Sequence, residues 1–483
     1  MLFNSYEYIF AFMPITFFIY FFLLHKRLIV GAKGFLVFAS LFFYSWWNIT
    51  YLPIILSSML FNYVIGNSLN KTFKKERVSK KALLTFGIVA NLSLLGYFKY
   101  ADFFLENVNY FSGSSIELLH LALPLAISFF TFQQVAYLVD SYRGETAEYD
   151  FLNYSLFVTF FPQLIAGPIV HHKEMMPQFS NKWNQVKNYK NIATGLFIFS
   201  MGLFKKVVIA DAFSVWATAG FDKAETLNMI EAWATSLSYT FQLYFDFSGY
   251  TDMAIGGALL FNILLPQNFN SPYKAKDIQD FWRRWHITLS RFLRDYIYIP
   301  LGGSRVAEYR VLTNLMITFI IGGLWHGAGW TFVFWGFMHG CALIIHRVWK
   351  NLGFTMNSVL AWFITFNFIN ISWVFFRAKE WSDALKVLKG MFGMSGYINQ
   401  YSQKLSLVGE HIGAKSLLYT IGGDSMTVKL LLISFIIILF AKNSYEYMQN
   451  IKFTKKTLVL YAFMSSIALL YLNNMSEFLY FNF

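Results

Sequence analysis

The sequence from Phe281 to Gly303 reads FWRRWHITLSRFLRDYIYIPLGG, and the sequence from Gly322 to Trp330 reads GGLWHGAGW. An apolar run joins the two stretches. The first stretch is rich in arginine and contains His286, whereas the second places His326 inside a hydrophobic run. Ionisable groups at membrane depth are costly and usually functional. The combination therefore indicates a functional site around which the rest of the chain is organised.

The composition is that of a polytopic α-helical membrane protein. Of the 483 residues, 56% are hydrophobic and only 13% are charged, whereas about a quarter are charged in soluble domains. The apolar runs are long enough to span a bilayer and are continuous, unlike the alternating strands of a β-barrel. The net charge of +13 comes from short basic clusters between these runs, a pattern that orients helices and contacts anionic lipids rather than nucleic acid. The single Cys341 excludes an intrachain disulfide and a cysteine zinc site.

The basic clusters predict that both ends of the chain lie outside the cytoplasm. Residues Met1–Ile9 contain no Lys or Arg, so they do not begin a cleavable signal peptide. The cluster 25–27 follows the first apolar run, and the cluster 452–456 precedes the last one, Leu458–Leu472. By the positive-inside rule, the first run enters the cytoplasm and the last run leaves it. The number of crossings is then even, with about twelve fitting the apolar runs, and the tail 475–483 lies outside.

Two segments contain residues that break helices. Pro162, Gly167 and Pro168 interrupt the apolar run that ends at Ile169, and Pro300 with two glycines follows the arginine-rich stretch. The first segment is expected to be a broken or re-entrant helix, which a membrane tolerates where protein or a polar cavity covers the freed backbone. The second segment is expected to be a turn.

Two acidic residues lie in the aromatic stretch QLYFDFSGYTDMAIG at 242–256. A carboxylate at membrane depth normally faces a cavity or a partner. Asp246 is expected either to pair with one of the arginines between Arg283 and Arg294 or to act directly in a reaction. The lysine pair 205–206 is expected at a helix end, where its long side chains reach the interface.

A helix over 281–296 would place Arg283, His286, Ser290 and Arg294 on one face. This cationic face suits an interface or the lining of a cytoplasmic funnel. The arginines would then hold an anionic donor or dock a donor-loading partner, with contact to lipid headgroups as the alternative. His286 would orient groups in the funnel.

His326 has mainly glycine and apolar neighbours in the sequence. Burial disfavours a charged imidazole, and a neutral ring can accept a proton as a general base. The alternative is a histidine that makes a hydrogen bond between helices. The residues by themselves leave both interpretations open.

The motifs resemble those of the bacterial branch of the membrane-bound O-acyltransferase family, which contains alginate and peptidoglycan O-acetyltransferases and the teichoic-acid D-alanyl transfer protein. The resemblance is carried by the stretches 242–256, 281–303 and 322–330 and by WGFMHG at 335–340. The opening MLFNSYEYIFAFMP and the closing FLYFNF are similar to the alginate-acetylase subgroup. The resemblance implies a single transmembrane domain over 1–483, in which helices and re-entrant segments surround a central catalytic histidine.

The resemblance also implies roles for individual residues. His326 would be the catalytic histidine. His286 would occupy the second family position, which is Asn in many eukaryotic members, and would serve in positioning or proton relay. The residues expected to bind donor or substrate, or to support their binding, are Arg283, Arg294, Asp246, Trp325 and His339.

A bacterial inner-membrane enzyme is the function that this resemblance implies. It would move acetyl groups from a cytoplasmic thioester, acetyl-CoA or an acyl carrier, for O-acetylation of an envelope glycan. Peptidoglycan is the leading acceptor, and alginate or another exopolysaccharide is the alternative. No bound cofactor or metal is expected, and the partners are membrane lipids and a periplasmic glycan acetyltransferase. A transporter or channel with Asp and His residues along an ion path is the alternative of a different class, although no internal repeat is evident.

Tyr480 lies in the closing motif. In this subgroup the motif is similar to an acyl-accepting element, so the Tyr480 hydroxyl is expected to carry acetyl transiently to the periplasmic partner and to count among the catalytic residues. A covalent relay divides one difficult transfer into two easier steps. An aromatic anchor at the membrane interface is the alternative.

Overall fold

A computed structural model of the chain describes residues 1–70, 79–146, 150–165, 167–398, 403, 413–474 and 479. Within these ranges all regular secondary structure is helical, as predicted. The helices up to residue 260 are α1 Met13–His25, α2 Ile29–Ser45, α3 Leu52–Asn70, α4 Lys80–Ser112, α5 Ile127–Tyr142, α6 Phe151–Thr159, α7 Phe161–Leu164, α8 His172–Ser180, α9 Tyr189–Phe204, α10 Asp211–Thr218 and α11 Met229–Leu260.

The helices that follow are α12 Ile278–Arg284, α13 Ile287–Leu293, α14 Glu308–His326, α15 Trp330–Asn351, α16 Ser358–Arg377, α17 Trp381–Met391, α18 Ala414–Leu417, α19 Ser425–Phe440, α20 Ser444–Asn450 and α21 Lys455–Tyr471. Short π-helical segments extend several of these helices, at Glu7–Phe12, Lys205–Ala210, Ala219–Lys223 and Arg294–Tyr298. Short 3₁₀ turns occur at Ile49–Tyr51, Lys182–Gln185, Pro272–Lys274, Tyr419–Ile421 and Leu472–Asn474.

Six helical segments within the described ranges are long and apolar enough to cross a membrane, and a seventh crossing results if the bent pair α19 and α20 is one span. The six are Glu7–His25, Ile49–Asn70, Lys80–Ser112, Tyr189–Lys223, Trp330–Asn351 and Ser358–Arg377. The architecture is that of a multi-pass membrane protein, but the predicted number of about twelve crossings is not confirmed. One reason is that some apolar runs are divided into short helices, such as α6 and α7.

Helix α11 lies at the centre of the fold. Every residue from Ser238 to Leu260 is buried, which is the pattern of a helix enclosed on all sides. Glycines bring its backbone against that of α9. A Cβ atom on Gly195 would lie 2.7 Å from the carbonyl oxygen of Gly256, and one on Gly249 would lie 2.7 Å from that of Gly202. Small residues at both crossing points therefore permit direct backbone contact.

Both breaker segments interrupt the helices as predicted. Helix α6 ends at Thr159, and α7 covers only Phe161–Leu164. The second segment is a turn in which Gly302 has φ +109° and Gly303 has φ +55°, values that side-chain-bearing residues rarely adopt. Asn314 of α14 donates hydrogen bonds to the Leu301 and Gly303 carbonyl oxygens at 3.1 and 3.3 Å, which fixes the turn against α14.

The two ends of the described chain meet. The Tyr6 hydroxyl donates a hydrogen bond to Asn473 Oδ1 at 3.2 Å, across 467 residues. The side of the membrane on which the two ends lie, and the even number of crossings, stay predictions.

Candidate active site

The arginine-rich stretch is not the single helix predicted over 281–296. Helix α12 ends at Arg284, Trp285 is extended, and His286 adopts a left-handed conformation with φ 42° and ψ 54° before α13 begins. Asn268 holds this break: its carbonyl oxygen accepts from the Ile287 N–H at 3.0 Å, and its side chain accepts from the Thr288 N–H at 3.2 Å. The predicted common face therefore does not exist, because the left-handed residue turns the chain between the two helices.

His286 is fully buried rather than exposed in a funnel. Its Nδ1 lies 3.2 Å from Asn268 Oδ1, which also accepts from the Thr288 hydroxyl at 2.9 Å. Since that oxygen is the acceptor, Nδ1 is the donor, and Nε2 is the basic nitrogen of the neutral ring. The imidazole packs edge-on against Phe247 at 4.8 Å and lies 6.2 Å from the Trp325 ring. His286 thus belongs to the buried centre of the fold.

The arginines of the stretch line a cavity of about 460 Å³. Arg283, Ser290 and Arg294 contribute to its wall together with Thr318 and Phe319 of α14. Arg294 donates two hydrogen bonds to the Asp295 carboxylate, from Nε at 2.6 Å and from Nη2 at 3.1 Å. No ion pair of Arg283 is found among the described residues. Arg283 and Arg294 thus share the wall of one cavity, and His286 is not among the residues that line it.

His326 is the last residue of α14, and only 2% of its surface is exposed. Its ring lies against Trp335 at 5.2 Å and Phe376 at 5.0 Å. Helices α14 and α15 approach closely here, since a Cβ atom on Gly323 would lie 3.1 Å from the backbone of Gly336. The glycines around the histidine motif therefore serve the hairpin that buries the imidazole.

Lys99 of α4 fixes the end of α14, and sequence reasoning did not identify it as a site residue. Its ammonium donates to the Trp325 carbonyl oxygen at 2.6 Å, to the His326 carbonyl oxygen at 3.2 Å and to the Ser128 hydroxyl at 3.2 Å. A cation at this place satisfies terminal carbonyl groups and opposes the negative end of the helix dipole. The only signal in the sequence is a lysine inside an otherwise apolar run.

A second cavity, of about 300 Å³, lies beyond the histidine. Its wall includes Lys99, Asp102, Gly327 and Ala328. The wall of the arginine cavity includes Phe319 of α14. About 12 Å of helix separates Phe319 from Gly327. Along this part of the chain, His326 therefore falls between residues that line the arginine cavity and residues that line the second cavity, and it is in the wall of neither.

Trp325 stacks on Phe132 at 5.1 Å, and the Lys99 ammonium lies 5.8 Å from the centre of its ring. The Trp325 ring is 4.9 Å from that of His326 and 6.2 Å from that of His286. The indole is thus the contact that connects the two histidines. Its N–H makes no hydrogen bond to any described residue, so it is available to a bound group.

His339 links three helices. Its Nδ1 accepts from the Trp282 indole at 3.2 Å, and its Nε2 lies 3.1 Å from the Ser372 hydroxyl, which itself donates to the Ile369 carbonyl oxygen. Both ring nitrogens are therefore used in joining α12, α15 and α16. This geometry favours support of the neighbouring Trp335 ring, 4.6 Å away, over contact with a substrate.

The predicted pairing of Asp246 with an arginine is wrong. Asp246 pairs with Lys206 at 2.8 Å, and Lys206 also pairs with Asp211 at 2.8 Å. The expectation that Lys206 reaches the interface is wrong as well, since only 2% of its side chain is exposed. Lys205 lies beside Asp252 at 2.6 Å. The close contact of α9 with α11 places the lysine pair against the two carboxylates.

Tyr480 lies outside the described residues, so its predicted role is not tested by the structure. No group of three or more His, Cys, Asp or Glu side chains within the described ranges could hold a metal ion.

The fold and the site define a class of protein: a multi-pass membrane protein with a buried histidine at the end of a helix, in a stretch of chain whose residues line two cavities. The model of the membrane-bound O-acyltransferase family matches residues 10–378. The chain belongs to this family and is an acyltransferase of the membrane, as the motifs predicted. This assignment favours the enzyme over the transporter or channel.

Individual relatives support the same family. A peptidoglycan O-acetyltransferase of Helicobacter pylori is 52% identical over 100% of this chain and 98% of its own length. A probable alginate O-acetylase AlgI of Pseudomonas aeruginosa is 38% identical over 87% of this chain and 80% of its own length. A teichoic acid D-alanyltransferase of Bacillus subtilis is 26% identical over 53% of this chain and 69% of its own length.

Proposed function

We propose that the protein transfers acetyl groups from a cytoplasmic thioester across the bacterial inner membrane for O-acetylation of peptidoglycan. The choice of polymer is supported by the 52% identity to a peptidoglycan O-acetyltransferase along essentially the whole length of both chains. The alternative acceptor is alginate or another exopolysaccharide, for which the relative is 38% identical and matches 87% of this chain.

The observation that carries the proposal is that His326 lies on α14 between Phe319, in the wall of the arginine cavity, and Gly327, in the wall of the second cavity. A thioester reaches the imidazole from the arginine side, and an acceptor hydroxyl reaches it from the other side. His326 takes the hydroxyl proton while the oxygen forms a bond to the acyl carbon. The tetrahedral intermediate then breaks its C–S bond, and the thiolate recovers the proton from the imidazolium. Atoms and charges therefore balance without a cofactor.

The surrounding residues bind the donor and support the site. Arg283 and Arg294 hold the anionic part of the donor in their cavity; Arg283 supplies positive charge at its wall, and Arg294, which pairs with Asp295, supplies further N–H donors. Trp325 offers a free indole N–H close to His326. His286 supports the same face of the site through its contact with Trp325. The acetyl group then passes by way of Tyr480 to a periplasmic acetyltransferase that modifies the glycan.

The test combines a vesicle assay with an analysis of the envelope. Purified protein in liposomes is given radiolabelled acetyl thioester, and acyl-ester formation is compared between wild type and His326→Ala. In cells lacking the gene, base-labile acetate is measured separately in purified peptidoglycan and in exopolysaccharide. Loss of acetate from peptidoglycan alone supports the proposal, loss from exopolysaccharide alone supports the alternative acceptor, and absence of any acyl ester contradicts both.

A further inference from the structure

The C-terminal tail contacts the centre of the bundle at one described residue. The backbone N–H of Leu479 donates a hydrogen bond to Asp246 Oδ2 at 3.1 Å, across 233 residues. Asp246 is 1% exposed and lies midway along α11. Leu479 is partly buried and packs against the hydrophobic core. This contact is the place where the chain beyond α21 returns to the helix that organises the fold.

The two carboxylate oxygens of Asp246 have different partners. Oδ1 faces the Lys206 ammonium at 2.8 Å, and Oδ2 faces the Leu479 N–H. A hydrogen bond to an ionised acceptor is roughly twice as strong as one between neutral groups, and it is stronger still in surroundings of low dielectric constant. Lys206 holds the Asp246 carboxylate in place, and Asp211 at 2.8 Å in turn holds Lys206. The ion pair is thus built to present one charged oxygen to a donor.

We propose that the Lys206–Asp246 pair is a docking site for the protein's own C-terminal tail, with Asp246 as the residue that positions the tail at Leu479. The next residue on α11, Phe247, packs its ring 4.8 Å from that of His286. The residue that binds the Leu479 N–H is therefore the sequence neighbour of a residue that contacts His286. The catalytic consequence of docking rests on the proposed function, whereas the docking itself does not.

A neighbouring ion pair provides a matched control. Asp252 lies on the same helix, is also buried, and pairs with Lys205 at 2.6 Å. It accepts a hydrogen bond from Ser444 rather than from the tail. If Asp246 served only to pack α9 against α11, neutralising either carboxylate would affect the tail to the same small extent.

The experiment measures how readily the tail is released. Because Cys341 is the single cysteine, a Leu479→Cys change in a Cys341→Ser background gives a unique thiol. Its rate of labelling with a maleimide is measured in detergent-solubilised full-length protein, after size-exclusion chromatography has shown a folded population. We expect Asp246→Asn to raise the rate about tenfold or more, as the loss of a charge-assisted hydrogen bond implies, and Asp252→Asn to leave it within about twofold.

A second variant covers the case in which Asp246→Asn does not fold. Asp246→Glu keeps the negative charge beside Lys206 but moves the carboxylate by one methylene group, so it should also raise the labelling rate. An unchanged rate in the folded Asp246 variants, or an equal rise in Asp252→Asn, would overturn the docking site. Faster labelling together with normal glycan acetylation would keep the docking site and overturn its link to the reaction.

Discussion

The Lys99 ammonium donates a hydrogen bond to the carbonyl oxygen of His326 at 3.2 Å, so a side chain of α4 fixes the backbone of the histidine at the end of α14. The same ammonium binds the Trp325 carbonyl oxygen at 2.6 Å. The orientation of the imidazole therefore depends on a helix that contributes no histidine motif.

The first prediction concerns this contact. Lys99→Met should lower kcat about tenfold or more, because charged hydrogen bonds contribute about 1.5–3 kcal/mol each and a misplaced base loses rate. Lys99→Arg should restore part of the activity, since it can still donate to carbonyl oxygens. Lys33→Met is the control, as Lys33 donates to Asn153 at 2.8 Å. Steady-state kinetics in liposomes provides the measurement, and equal kcat values for Lys99→Met and Lys33→Met would contradict the positioning role.

The second prediction concerns the base. His326→Ala should reduce acetyl transfer by about 10²–10⁴, the usual effect of removing a general base, while the protein still inserts and folds. The measurement is glycan acetylation in a strain with verified expression of the variant. Near-normal acetylation would show that His326 is a structural contact between helices.

The third prediction concerns the arginine cavity. Arg283→Glu and Arg294→Glu should each raise the apparent KM for the thioester donor about tenfold with a smaller effect on kcat, because they weaken binding without touching the reacting atoms. Arg310→Glu is the control, since Arg310 is exposed and lies outside the cavity wall. Donor titration at low ionic strength gives the values. A shift in KM that the control reproduces would point to a general surface charge effect.

The fourth prediction concerns the backbone at His286. An L-residue in the left-handed region costs about 1–2 kcal/mol, and Asn tolerates it better than most residues. His286→Asn should therefore keep more thermal stability in detergent than His286→Val, although both lose the imidazole. The measurement is the Tm from fluorescence-detected size exclusion. A Tm of the Asn variant at or below that of the Val variant would speak against the conformational explanation.

The fifth prediction concerns the tail hydroxyl. Tyr480→Phe removes one oxygen and keeps the ring, so an anchor role predicts an almost normal protein, whereas the relay predicts loss of glycan acetylation. Mass spectrometry of the wild-type C-terminal peptide should find an acetyl group. Normal acetylation by Tyr480→Phe would show that the relay is wrong.

Sequence patterns predicted the helical class and the family, because these depend on composition and on local motifs. They could not predict the break at His286, since the break depends on Asn268, which lies 18 residues away in the chain. The partner of Asp246 and the role of Lys99 were missed for a similar reason. Each depends on which helices touch, and helix periodicity alone does not determine those contacts.

The glycine contacts between α9 and α11 also bear on how the protein works. Gly195 and Gly202 are seven residues apart, as are Gly249 and Gly256, and the pairs face each other backbone to backbone. Sliding one helix along the other by a single turn would drive larger side chains into these contacts. The two helices thus form a fixed frame, unlike the rocking halves of an alternating-access carrier. Under the proposed function, the acetyl group crosses the membrane while α9 and α11 keep their positions relative to each other.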